Sequence, residues 1–310
     1  MKLKHLLHTF RSSGTALLAA ISLAGITTAN AASFFDSTIA GINLGNASGG
    51  NTGNYRNWAV FALSGGVTIS DSVQNNSWND VAGNVGVGGS GNLTMTLSRV
   101  KGTAYFGNQA NKWNGGGTIT GGVSYTAADK TYLATAVTNA NSATAAAALL
   151  ATVTTGLSVS GSTPAAVLTG SIASPALLSL NNQSGGITGV SGGTYVLNLS
   201  SLALTTNSIL TLTGTATTNY VINISQALSV ASNSQIVLSG GLQPQNVLFN
   251  VKTTATTAVT ISGASVLNGI ILATNRTVNL SGASKVVGEV IGQTVSLSGS
   301  SQVRNPLVSP

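Results

Sequence analysis

The chain has 310 residues, with no cysteine, 12 basic and five acidic side chains, and two histidines. The lack of cysteine excludes disulfide staples, thiolate chemistry and Cys-type metal sites, and a chain of this length can bury a core without staples. The formal charge of +7 invites a nucleic-acid reading, which the distribution of the charges then argues against.

Residues 1–31 read as a secretory signal peptide. Lys2, Lys4 and Arg11 open it, an apolar run from Ala16 to Ile26 follows, and Ala29-Asn30-Ala31 places small residues where a signal peptidase cuts. The run is short of the roughly 20 apolar residues of a membrane span, and no later segment qualifies. Cleavage near Ala31 predicts an extracellular or cell-surface protein. It removes both histidines and three basic residues, leaving nine Lys/Arg against five Asp/Glu, a net charge of +4. Those nine are scattered from Arg56 to Arg304 in sequence, so no nucleic-acid partner is expected.

Residues 32–57 are a Gly-, Asn- and Ser-rich lead-in. Residues 58–125 carry short alternating pieces such as Val67-Thr68-Ile69-Ser70 and Leu93-Thr94-Met95-Thr96-Leu97, separated by Gly and Asn, which predict β coils. Residues 126–152 break the pattern. Apolar positions recur there at three and four residues, with no Gly or Pro, predicting an α-helix. Thr126 with Asp129 three residues on resembles a capping box, and Gly156 offers a stop.

From 157 to 305 the β pattern returns and becomes repetitive. Val259-Thr260-Ile261-Ser262-Gly263-Ala264-Ser265 recurs from Val278 and again from Val295, at offsets of 19 and 17 residues. That period is too short for a propeller blade or a helical repeat, and it fits one coil of a β-solenoid, each Gly making a corner. A β-sandwich of similar hairpins is the alternative. The predicted fold is therefore all-β, an irregular β-helix with one long α-helix packed alongside it in a single domain.

If Val, Leu and Ile point inward, the outward residues stack in columns. Ala258, Thr277 and Thr294 form one column; Thr260, Asn279 and Ser296 form another. Thr211 and Thr213 have the same outward spacing of about 6.7 Å. These eight residues are the candidate binding face, an uncharged lattice of hydroxyls, amides and methyls.

Several stretches carry a family resemblance: Leu210–Ile224 (LTLTGTATTNYVINI), Ile236–Gly241 (IVLSGG), Gln245–Val251 (QNVLFNV), Leu267–Ala273 (LNGIILA) and Val81–Gly89 (VAGNVGVGG). They resemble bacterial secreted ice-binding-like (antifreeze-like) and "choice-of-anchor A" surface domains. The resemblance implies a β-helix with a helix along its axis. It leaves function open, since some members bind ice and many others are surface or matrix proteins. Ice-binding members are associated with Thr-Ala/Gly-x-Thr/Asn motifs, whereas the corner here reads Ser-Gly-Ala-Ser.

Three functions follow from these features. The leading expectation is a non-enzymatic surface or matrix protein presenting a flat Ser/Thr/Asn face to a glycan or protein. The alternative is an ice-binding protein using the same columns. The third is a polysaccharide-cleaving β-helix enzyme, which needs paired carboxylates or a Ca²⁺ site. The acids Asp36, Asp71, Asp80, Asp129 and Glu289 supply no such motif, and no cofactor or metal is expected. Glu289, beside inward Val290, is expected to face solvent. Trp58, Trp78 and Trp113 are read as buried or half-buried caps, and the sequons at Asn198, Asn223 and Asn279 as chance.

Overall fold

A computed structural model describes residues 58–71, 80–108, 114–252 and 257–306. Residues 1–57, which hold the expected signal peptide, the lead-in and Asp36, lie outside the described residues, as do Trp78 and Trp113.

Alternating Val/Leu/Ile and Ser/Thr produce strands whose apolar side chains all turn to one interior. Val259, Ile261, Val278, Leu280, Val295 and Leu297 are all buried, while the residues between them are partly exposed. The chain winds these strands into a three-faced β-solenoid. The two best-formed coils show the path. Val266–Ser281 and Lys285–Ser298 each run along one face, turn a corner at Gly269 or Gly288, cross a second face, and finish on a third. The pairing is parallel except for Leu157–Gly161, which runs antiparallel to Ser184–Gly189, and the Val153–Val196 bridge.

The 259/278/295 repeat stacks as its spacing predicts: Val259 beside Val278, and Val278 beside Val295. The stack then departs from chain order. Val295 lies beside Val67, and Val60 lies between Val290 and Val85. Gln302–Arg304 sits between Lys285–Val287 and Val81–Ala82. One coil is therefore built from both ends of the described chain, with Trp58–Ala62 and Val67–Ser70 on two faces and Gln302–Arg304 on the third. Beyond it, coils containing residues 81–124 extend the solenoid one way, and residues 157–298 extend it the other. The signal for this was present in the sequence: the tetrapeptide Val-Thr-Ile-Ser stands at 67–70 and again at 259–262.

The helix, Ala127–Ala148, makes this order possible. Its 22 residues span about 33 Å, or about seven rungs at about 4.8 Å each, and return the chain from one end of the stack toward the other. Thr126 and Asp129 form the expected capping box. Leu133, Ala136, Ala140, Ala143 and Ala147 are buried against Val221, Leu248, Ile270 and Ile291. Alanines at steps of three and four let the helix lie close to the sheet.

The helix ends at Ala148 with Leu149 as its C-cap, short of Gly156. A ladder of buried asparagines takes two carbonyls near its end and that of Leu150 just beyond it. Asn223 Nδ2 donates to Ala147 O at 2.7 Å, Asn250 Nδ2 to Thr144 O at 3.2 Å, and Asn198 Nδ2 to Leu150 O at 3.3 Å. Side chains from the sheet thus do what a C-terminal glycine does elsewhere. Asn198 and Asn223 are fully buried, which closes those two sequons to modification.

Two further expectations are corrected. Glu289 is 1% exposed and accepts from Asn305 Nδ2 at 3.1 Å. It lies on the face under the helix, where both surfaces of the sheet are covered, so alternation does not expose it. Nor do the corners require glycine. Gly263-Ala264, Gly282-Ala283 and Gly299-Ser300 all have positive φ, and so do Thr206-Asn207 and Ser232-Asn233. Backbone bonds between stacked corners hold these non-glycine pairs, among them Asn207 N to Ser232 O and Asn233 N to Gly263 O, each 2.7 Å. Buried serines complete the corner: Ser265 Oγ donates to Ser262 O at 2.6 Å and Ser301 Oγ to Ser298 O at 2.7 Å.

Candidate functional site

Of the three faces, one lies beneath the helix. The face that follows it along each coil carries six of the eight candidate residues. Its central column runs, rung by rung, through Ser179, Ala203, Ser229, Thr260, Asn279, Ser296, Thr68 and Thr94. Thr277 and Thr294 are paired in the column beside it, and Ala258 precedes the strand that begins at Val259. A third column contains Ser262, Ser281, Ser298, Ser70 and Thr96. The eight rungs and three columns make a strip about 34 Å long and about 13 Å wide.

Register explains its regularity. Shifts occur between Ala176 and Leu177, Leu199 and Ser201, and Ala273 and Thr277, all at the edge where the chain enters the face. Inside it the strand pairs of the described residues keep step. Arg276 steadies that edge: it is 2% exposed and donates to Thr257 O at 3.1 Å and to Gln226 O. The side chains themselves are loosely tied. Thr260 Oγ1 meets Ser229 Oγ at 3.1 Å, and every residue named in the three columns is at least partly exposed. Among the described residues no charged side chain lies in the three columns, and the helix packs on a different face.

Thr211 and Thr213 are not part of this strip. They lie on the third face, beside Gly186 and Thr188 on one side and Val237 and Ser239 on the other. There they border a shallow open depression of about 360 Å³, where Gly185 and Gly186 leave the sheet without side chains. The equal spacing of Thr211-Leu212-Thr213 reveals an outward orientation but not a face. The strip also includes residues that the sequence reading did not place in it, notably Thr68, Ser70, Thr94 and Thr96, because they are far from the repeat in the chain.

The strip has no acid, base or nucleophile with an activating partner, and it is a surface, not a cleft. Among the described residues no three His, Cys, Asp or Glu come together to hold a metal, and no helix is long and apolar enough to cross a membrane. Trp58 belongs to the helix interface: it is 1% exposed, stacks on Phe61 at 5.6 Å, and meets Tyr105 and Tyr132.

The fold is similar to that of solved proteins. An ice-binding protein from an Arctic yeast (LeIBP) superposes with a TM-score of 0.53 at 21% identity, over 82% of this chain and 93% of that one. A glycosylated form of it gives 0.53 at 20%, with the same coverage. An ice-binding protein from the Antarctic ascomycete Antarctomyces psychrotrophicus gives 0.49 at 17% identity, over 82% and 96%. No curated protein matches the sequence. The model of one family, described as ice-binding-like, matches residues 65–302, and over that three-quarters of its length the chain belongs to the ice-binding-like family.

Proposed function

We propose that the chain binds ice through the strip centred on Thr260, Asn279 and Ser296. The observation that carries this is the unbroken register of small Ser, Thr, Asn and Ala side chains over eight rungs. Hydroxyls and amides at fixed intervals hold first-layer water at fixed intervals, and methyls between them restrict its orientations. Such a layer joins a growing crystal with little further ordering. Membership of the ice-binding-like family and the ice-binding proteins among its structural neighbours support the same reading. They favour it over a general surface or matrix role, which has no observation of its own.

On this reading the protein is not an enzyme and works outside the cell after removal of residues 1–31. The test is thermal hysteresis and inhibition of ice recrystallisation with the purified protein. Activity is expected, and Thr277→Tyr and Thr294→Tyr are each expected to remove most of it with an unchanged circular dichroism spectrum. No activity at high concentration sinks the reading.

A further inference from the structure

The third face gathers charges that the sequence scatters. Lys285 lies beside Gln302, and Val287 beside Arg304. Arg304 is followed by Ala82 and then Lys101, while Arg99 occupies the other column of that last strand. Arg304 and Lys101 are thus two rungs apart, about 10 Å, and Lys285 and Arg99 three rungs apart, about 14 Å. All four side chains are partly exposed. Two carboxylates lie nearby, and both are less than a tenth exposed. Asp80 accepts from the backbone N–H of Arg99 at 2.6 Å, and Asp71 accepts from Ser300 Oγ at 3.0 Å. Four cations against two buried acids leave the exposed strip positive. The crowding is felt at Lys285, whose ammonium is held below the ordinary lysine range by burial and, second, by the charge of Arg304.

We propose that this strip binds an acidic polysaccharide, a linear glycan bearing carboxylates, laid along the solenoid axis. The cations stand at multiples of the rung spacing on three of four consecutive coils, which suits a polymer of regularly spaced anions. Between and beside them stand Gln302, Thr118 and Thr120, neutral groups that pair with sugar hydroxyls. The strands of this face contain no aromatic residue among the described residues, so nothing there stacks a nucleic-acid base. A flat parallel sheet offers no helix or ribbon to enter a duplex groove. The strip and the face proposed to bind ice are different sides of one prism, so a crystal on one leaves the other open.

The experiment is binding of the purified full chain to polygalacturonate, dextran and a single-stranded DNA of matched charge, without ice, at 50 and 300 mM salt. Polygalacturonate is expected to bind and dextran not to, with affinity falling at least about tenfold across the salt range. The Lys101→Gln/Lys285→Gln double variant is expected to bind about tenfold more weakly. A Lys130→Gln/Lys252→Gln control removes the same charge elsewhere and is expected to change affinity less than about twofold. Failure to bind polygalacturonate at 50 mM salt overturns the proposal. So do equal losses in the two double variants, or tighter binding to the DNA than to the polyuronate. Ice activity is measured separately, so either reading can fail alone.

Discussion

Asn223→Ala tests how the helix is fixed to the solenoid. Asn223 is fully buried in the middle of the asparagine ladder. Its Nδ2 donates to Ala147 O at 2.7 Å, and its Oδ1 accepts from Asn250 Nδ2 at 2.8 Å. Alanine removes both bonds, at about 1 kcal/mol each. It also leaves a void the size of an amide, worth about another 1 kcal/mol. The damage is bounded, because Ala147 O still accepts from Leu150 N at 3.2 Å and Asn250 Nδ2 still reaches Thr144 O. The expected cost is about 2–4 kcal/mol. In a domain of this size each kcal/mol moves Tm by about 2–4 °C, so calorimetry should show a fall of about 5–15 °C. Hydrogen exchange should quicken at the C-terminal turn of the helix. Ice activity near 0 °C should persist, since the strip lies on another face. A fall in Tm below about 2 °C would refute the reasoning, as it would mean the ladder does not hold the helix.

Asn279→Tyr is expected to abolish ice activity, and Thr211→Tyr to spare it; loss by Thr211→Tyr alone in a thermal-hysteresis assay would place the active face on the wrong side. Gly288 has φ +146°, and a Cβ there would lie 2.0 Å from Gly269 O. Gly288→Ala is therefore expected to lower the urea midpoint sharply, by more than about 3 kcal/mol of stability, or to prevent folding. Asp129→Asn is expected to cost about 0.5–1 kcal/mol at pH 7 through loss of the cap. Burial opposes ionisation of Asp129, but hydrogen bonds from Ser124 and Thr126 outweigh it and hold the carboxyl below its usual 3.8. A depressed folded pKa contributes stability above the unfolded value and loses it as pH falls through the folded one. Denaturation curves of wild type and Asp129→Asn should therefore converge below about pH 3.

Alternation and the Val-Thr-Ile-Ser-Gly-Ala-Ser repeat determined the strands, the coil and the inward and outward sides, because a strand's period of two is local. The capping box and the three-and-four spacing of alanines likewise determined the helix. Its end at Ala148 was not legible, because Asn198, Asn223 and Asn250, which take carbonyls near that end and just beyond it, are 48 to 106 residues from their partners. Outward orientation was legible at Thr211, Thr277 and Asn279 alike, yet only the stacking separates Thr211 from the other two. Glu289 reads as an outward residue and is outward, but the helix covers it.

Which residues share a face depends on where the coil corners fall and on the order in which coils stack. That order is set by the helix, which carries the chain along the stack and lets residues 58–70 complete a coil with residues 302–304. Sequence by itself thus determined a sparsely charged β-solenoid chain with hydroxyl-bearing outward positions. The tertiary structure alone decided that Thr68 and Thr94 extend the strip that holds Thr260, and that Lys101 shares a face with Lys285. The reason is that parallel stacking places residues by rung, and rung order is a long-range property that no local pattern records.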